Sequence, residues 1–173
     1  MEREEKLRCV TEEAKAEVLV ANLEQLYHQY IRRKAADNTA KRNAGLIFFR
    51  WLSSMNPDFA EEKNQTFLDD VQSAVTLLCA QLAQLSQLQP IHSGFLADRA
   101  ISLMMVAPAT PRTITDRYLL VAEYQCEPLL AYLTQESLHT QYEHYLQKTP
   151  KRLMYPQQRK LCRKMEMLLK KKD

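Results

Sequence analysis

The hydrophobic positions of this chain recur mostly at steps of three and four residues, the spacing that lines one face of an α-helix. The first such stretch covers residues 5–34 and contains neither glycine nor proline. It ends in Arg32, Arg33 and Lys34, and cations suit the partial negative charge of a helix C-terminus. We therefore predict one long helix that ends at this basic cluster.

The next segment is apolar on almost every side. Asp37, Asn38 and Thr39 offer capping side chains, the apolar run 46–52 follows, and Asn56-Pro57 stops a helix. A helix without a polar face belongs in the interior. We predict a second, buried helix here.

The clearest periodicity extends over residues 58–88, where one long helix and a kinked pair both fit. Residues 89–94 contain proline and glycine and are predicted to form a connector before a helix over 95–106. Shorter helices are predicted over 115–126, from a cap at Ser137 to Pro150, and from Pro156 onward. Pro128 either kinks the chain or begins a helix.

These elements predict an all-α fold, an irregular bundle of about six to eight helices with the long ones in the N-terminal half. An apolar share of 46% is too high for disorder, and two glycines are few for tight hairpins. The expected core contains Leu23, Leu26, Phe48, Trp51, Val71, Leu78, Leu82, Leu103, Leu120 and Leu133.

The charges are distributed unevenly along the chain. Residues 1–147 carry 14 basic and 19 acidic side chains, whereas residues 148–173 carry 10 basic and two acidic ones. The net charges are −5 and +8, which together give +3. We interpret 1–147 as the bundle and 148–173 as a basic C-terminal helix of the same domain. A basic end on an acidic body is the strongest functional signal here.

Nucleic acid is the first predicted partner, because Lys and Arg neutralise phosphates and Tyr stacks on unpaired bases. The predicted contacts are Lys148, Lys151, Arg152, Tyr155, Arg159, Lys160, Arg163 and Lys164. A secondary basic patch comprises Arg32, Arg33, Lys34, Lys41 and Arg42, which would join the first if the fold brought them together. The corresponding function is a non-enzymatic accessory or regulatory protein.

The alternative is a protein–protein adaptor or regulator, such as an accessory of a larger machine or of secretion. Leu161, Met165 and Leu168 form an apolar stripe on the last helix that would dock into an acidic or apolar protein groove. A solvated end without a specific role is the third interpretation. The long first helix and Leu78, Leu82 and Leu85 also allow a homodimer.

Catalytic chemistry finds little support in the sequence. No phosphate-binding glycine loop, nucleophile elbow or zinc-binding HExxH motif occurs, and His139 with Glu143 is best interpreted as a surface pair. The four cysteines lack metal-ligand spacing. We expect no enzyme activity, metal or cofactor. The charged N-terminus and the absence of an apolar run of about 20 residues predict a soluble, cytoplasmic protein.

Overall fold

In the computed structural model, the backbone is described for residues 2–43 and 57–172, and the side chains for 2–34 and 62–171. All regular structure in these ranges is helical. The α-helices are α1 (Glu2–Asn43), α2 (Pro57–Leu88), α3 (Pro90–Met104), α4 (Ile114–Glu123), α5 (Gln135–Lys148) and α6 (Pro156–Lys172). A 3₁₀-helix covers Tyr124–Tyr132, and a short one covers Lys151–Leu153. The predicted all-α bundle with long N-terminal helices is confirmed.

The helix α1 is longer than predicted and continues past Lys34 to Asn43. No glycine or proline interrupts the chain before Gly45, so Asp37, Asn38 and Thr39 are accommodated inside the helix. The prediction that these residues cap a second helix is wrong. The buried helix predicted over 46–52, with Phe48 and Trp51, lies outside the described residues.

The helix α1 packs antiparallel to α2, and α3 then returns along α1. The Tyr30 hydroxyl donates to Asn64 Oδ1 at 2.8 Å, and the Tyr30 and Phe67 rings stack with centroids 3.9 Å apart. Farther along, His92 and Glu17 approach to 3.7 Å. These three helices form the frame on which the C-terminal half packs.

The turn between α2 and α3 consists of Gln89 alone, so the predicted connector over 89–94 is wrong. Pro90 stands at the first position of α3, where its missing N–H costs nothing. Gly94 lies inside α3 and is buried. A Cβ there would lie 3.1 Å from the Tyr132 carbonyl oxygen and 3.2 Å from Thr134 Cγ2. Glycine is used at this position for a close approach between α3 and the end of the 3₁₀-helix.

The C-terminal half follows the predicted order with shifted boundaries. Thr113 and Asp116 form a capping box that begins α4. Pro128 stands inside the 3₁₀-helix and does not begin an α-helix, and its missing N–H disfavours a continuation of α4 through this segment. The cap of α5 is Thr134, whose hydroxyl accepts from the Ser137 N–H at 3.2 Å, and not Ser137 as predicted.

The core joins side chains from every described α-helix. Of the predicted core residues, Leu26 and Leu103 are half-buried, and the others within the described side chains are buried. Those buried residues are Leu23, Val71, Leu78, Leu82, Leu120 and Leu133. Since Leu78, Leu82 and Leu85 are fully covered by their own chain, they do not form a dimer surface.

None of the described helices is long and apolar enough to cross a membrane.

Candidate nucleic-acid interface

The helix α6 carries most of the predicted basic residues, and its start is well defined locally. Pro156 opens it, and the Tyr155 N–H donates to the side chain of Gln158 at 2.8 Å. The helix packs against α5 and the 3₁₀-helix. Its inner face therefore completes the core, and its outer face is left to the solvent.

The predicted docking stripe belongs to that inner face. Leu161 is 3% exposed, Met165 is 0% exposed and Leu168 is half-buried. The amphipathic pattern is explained by packing within the chain. The structure thus contradicts the interpretation of Leu161 and Met165 as residues that a partner protein contacts.

Lys148 also has its interaction partners within the chain. Its Nζ lies 2.9 Å from Glu123 Oε1 and donates to the Met105 carbonyl oxygen at 3.4 Å. The Glu123 side chain is 0% exposed and that of Lys148 only 24%. Burial raises the pKa of Glu123, and the Lys148 charge counters part of that rise. Lys148 is therefore a structural counter-ion of Glu123, and its ammonium group is occupied within the chain.

Two further predicted cations have carboxylate partners at the surface. Lys151 lies 2.6 Å from Glu166 Oε1, which also accepts from the Tyr142 hydroxyl at 2.9 Å. These hydrogen bonds lower the pKa of Glu166. Lys164 lies 3.5 Å from Glu127 Oε1, and both side chains are less than half exposed. Their charges are partly neutralised before any partner arrives.

The remaining predicted contacts lie at the surface. Arg159, Lys160 and Arg163 are exposed on the outer face of α6, and Arg152 and Tyr155 are exposed just before it. None of these four cations forms an ion pair with a side chain in the described part of the chain. The structure therefore separates the predicted cations into a paired set and an unpaired set.

A groove runs between α6 and the 3₁₀-helix, with a volume of about 560 Å³. Lys160, Arg163 and Lys164 line its α6 side, and Tyr124 and Glu127 line the opposite side. Burial, then the charges of Glu123 and Tyr155, raise the pKa of Tyr124 to about 12. Its hydroxyl is therefore neutral at physiological pH.

Tyr124, Glu127 and Met167 are not among the site residues that the sequence predicts. Met167, which also lines the groove, is 51% exposed. Tyr124 and Glu127 precede the basic segment by more than 20 positions, and no motif connects them to it. The one signal in the sequence is the position of Met167 three residues from both Lys164 and Lys170, on the basic face of an amphipathic helix.

The secondary basic patch lies elsewhere. Arg32 and Arg33 are exposed on α1, and Lys34 Nζ lies 5.9 Å from the centre of the Tyr30 ring. The side chains of Lys41 and Arg42 are outside the described residues. Since α1 packs mainly against α2 and α3, it shares no principal packing partner with α6.

An exposed apolar corner is found at the start of α3. Ile91 is 80% exposed and Phe95 is 63% exposed, and the His92 ring stacks on Phe95 with centroids 6.5 Å apart. A shallow surface of low polarity lies between Gln89 and Phe95.

No cluster of three or more metal-ligating side chains occurs within the described ranges. His139 Nδ1 lies 3.5 Å from Glu143 Oε1, and both side chains are more than half exposed, which confirms the predicted surface pair. Cys126 and Cys162 are buried, and burial raises the pKa of both thiols. These thiols are poor nucleophiles at neutral pH.

Comparison with known proteins finds no match among protein-family models, curated proteins or solved structures.

Proposed function

We propose that this protein is a non-enzymatic accessory or regulatory protein that contacts nucleic acid through the outer face of α6. The observation that carries the proposal is that Arg159, Lys160 and Arg163 are exposed and have no ion-pair partner among the described side chains. A body of net charge −5 over residues 1–147 concentrates the attraction for polyanions at this end.

The geometry supports contact with the phosphate backbone. Arg159 and Arg163 are four positions apart, so they project from one helical face about 6 Å apart along the axis. Their guanidinium groups can bind phosphate oxygens in a bidentate manner. Lys170 and Lys171 are also exposed and extend the positive surface along α6. Such contacts give affinity without reading sequence.

The test is fluorescence anisotropy of labelled single- and double-stranded DNA and RNA with the full chain, between about 50 and 200 mM salt. The variant is Arg159→Gln, Lys160→Gln and Arg163→Gln together, since Gln has a similar helix propensity. We expect the slope of log affinity against log salt to become shallower by about 2 to 3, since each lost phosphate contact removes about 0.7 to 0.9.

A matched control removes the same charge elsewhere. Arg3, Arg8 and Arg117 are exposed on α1 and α4, and their triple change to Gln should leave the salt slope unchanged. A full chain that binds no nucleic acid at about 50 mM salt refutes the proposal. Equal losses in the two triple variants would assign the binding to net charge and not to α6.

A truncation before Lys148 is not a useful test of this proposal. It would remove Leu161, Cys162 and Met165 from the core and leave Glu123 buried without its counter-ion. Loss of binding in such a chain would reflect unfolding.

The second candidate function is a protein adaptor, favoured by the exposed Ile91 and Phe95 and no longer by the last helix. Exposed apolar patches mark protein interfaces more often than isolated apolar residues do. The change of Ile91 and Phe95 to Gln should then abolish capture of a partner from the native cell, whereas the α6 triple variant should retain it. The reverse pattern would exclude the corner as the interface.

A further inference from the structure

The groove between α6 and the 3₁₀-helix is lined by three kinds of group that can each contact part of a nucleotide: cations, an aromatic side chain and a carboxylate. Lys160, Arg163 and Lys164 line one side, and Tyr124 and Glu127 line the other. With a volume of about 560 Å³, the groove falls within the range of small-molecule sites, about 300 to 1,000 Å³.

We propose that this groove is a subsite for one unpaired nucleotide of a single-stranded nucleic acid, and that it favours a base with an exocyclic amino group. The proposal rests on the proposed function of α6, and it adds the strand type and the base preference.

The phosphate side is formed by Arg163 and Lys160. Both line the groove, both are exposed, and neither has a carboxylate partner in the part of the chain that the structure describes. A phosphate would therefore bind here without displacing an existing ion pair. Lys164 is less available, because Glu127 lies 3.5 Å from its Nζ.

The base would pack against Tyr124 and Met167. Aromatic rings stack on any unpaired base, and thioethers make favourable contacts with aromatic rings. The groove is a recess between two helices, so only a base that has left its stack can enter it. A duplex, whose bases are stacked inside, would reach only the cations on the rim. The concave shape thus favours a single strand.

Glu127 is the feature that sets base preference. A carboxylate in a basic groove repels a second phosphate and accepts hydrogen bonds from donor groups. Its Oε1 faces Lys164, and no described side chain donates to its other oxygen. Cytosine presents an amino donor where uracil presents a carbonyl acceptor. Two acceptors facing each other repel, so we expect cytosine to bind more tightly than uracil.

The experiment measures binding of labelled oligodeoxycytidine and oligodeoxyuridine of about twelve nucleotides, together with a duplex of the same length, to the full chain. We expect the single strands to bind more tightly than the duplex, and oligodeoxycytidine more tightly than oligodeoxyuridine. Tyr124→Leu should weaken single-strand binding about tenfold with an unchanged salt slope, since stacking is lost and no phosphate contact is. Tyr124→Phe keeps the ring and should bind as the native chain does.

Glu127→Gln tests the base preference at a partly exposed side chain, where folding is not at risk. The amide can donate to the uracil carbonyl, so the preference for cytosine should disappear. Circular dichroism of each variant verifies the helical fold, and Tyr124→Leu is judged only if it melts as Tyr124→Phe does.

Different results would refute nucleic-acid binding by α6 and the nucleotide subsite in the groove. No binding of any nucleic acid refutes the function of α6 and the subsite with it. Equal binding of duplex and single strand, with no effect of Tyr124→Leu, overturns the subsite and leaves the backbone contact in place. Competition by polyglutamate as strong as by oligodeoxycytidine would show a groove for anions in general and would also overturn it. An unchanged cytosine preference in Glu127→Gln overturns the role of that carboxylate.

Discussion

Replacement of Lys148 by Met tests the assignment of this residue as a structural counter-ion. Met keeps most of the aliphatic stem and removes only the ammonium group. Glu123 is 0% exposed, and Lys148 is its ion-pair partner at 2.9 Å. The other carboxylate oxygen, Oε2, has no hydrogen-bond partner among the described residues. The change would therefore leave a carboxylate that is buried and unpaired.

The loss of unfolding free energy has an upper limit, because the folded variant can keep Glu123 protonated and so avoid a buried charge. The ordinary pKa of the group is 4.5, and each pH unit above it costs about 1.36 kcal/mol. At pH 7 this amounts to about 3.4 kcal/mol. The value agrees with the loss of about 3 to 5 kcal/mol that accompanies the removal of one partner from a buried ion pair. Since burial already raises the Glu123 pKa in the native chain, we expect the free energy of unfolding to fall by up to about 3 kcal/mol at pH 7.

The pH dependence has a definite sign. In the variant, the folded state holds a proton on Glu123 that the unfolded state has released above about pH 4.5, so stability falls as pH rises. The native chain shows the same trend over a narrower range, since burial raises the Glu123 pKa even beside Lys148. The difference between the two proteins should therefore shrink toward pH 4.5. Tyr27, Tyr145 and Cys126 also face this carboxylate, and their pKa values are raised beyond the range concerned.

The assay is urea unfolding followed by far-ultraviolet circular dichroism at a series of pH values, with linear extrapolation to water. The control is Glu123→Gln in the Lys148→Met background, which removes the carboxylate and should remove the added pH dependence. A loss below about 1 kcal/mol at pH 7, or a loss that does not change with pH, would refute the counter-ion assignment. In addition, the salt slope of nucleic-acid binding should stay at the native value in Lys148→Met.

Three further predictions concern stability and use the same unfolding assay at pH 7. Tyr30→Phe removes the 2.8 Å hydrogen bond to the buried Asn64 and should cost about 1 to 3 kcal/mol; an unchanged midpoint would show that water replaces the hydroxyl. Thr113→Ala breaks the capping box with Asp116 and should cost about 0.5 to 2 kcal/mol, whereas Thr113→Ser should cost little; equal effects of both changes would contradict the capping role. Leu161→Ala should cost about 2 to 5 kcal/mol, because the side chain is 3% exposed; an unchanged midpoint would contradict the packing of Leu161 in the core.

Much of the architecture was predictable because helix formation depends mainly on residues that are close together in the sequence. The periodicity over 58–88 and the proline at 156 indicate helices without knowledge of their neighbours, and the structure has α2 over Pro57–Leu88 and α6 from Pro156. The errors were also local in origin. Proline and glycine within 89–94 indicated a connector, but Pro90 occupies a first helical position and Gly94 an interhelical contact. Composition alone does not distinguish these uses.

The candidate site was predictable in its charge and not in its contacts. Counting cations from residue 148 onward finds the basic end, because net charge is a property of the sequence. Which cations are available depends on carboxylates that the fold brings to them. Glu123 lies 25 positions before Lys148, and Glu127 belongs to a 3₁₀-helix far from Lys164 in the chain.

The amino-acid sequence by itself determined that the chain forms helices, where most of them begin, and that its C-terminal end is basic. These properties follow from spacing, backbone chemistry and charge, which act over a few residues. Only the tertiary structure decided that Leu161 and Met165 face inward, that Lys148 neutralises Glu123, and that a tyrosine and a glutamate lie opposite the α6 cations. Packing sets these relations, because it selects which faces meet and which charges lose their water.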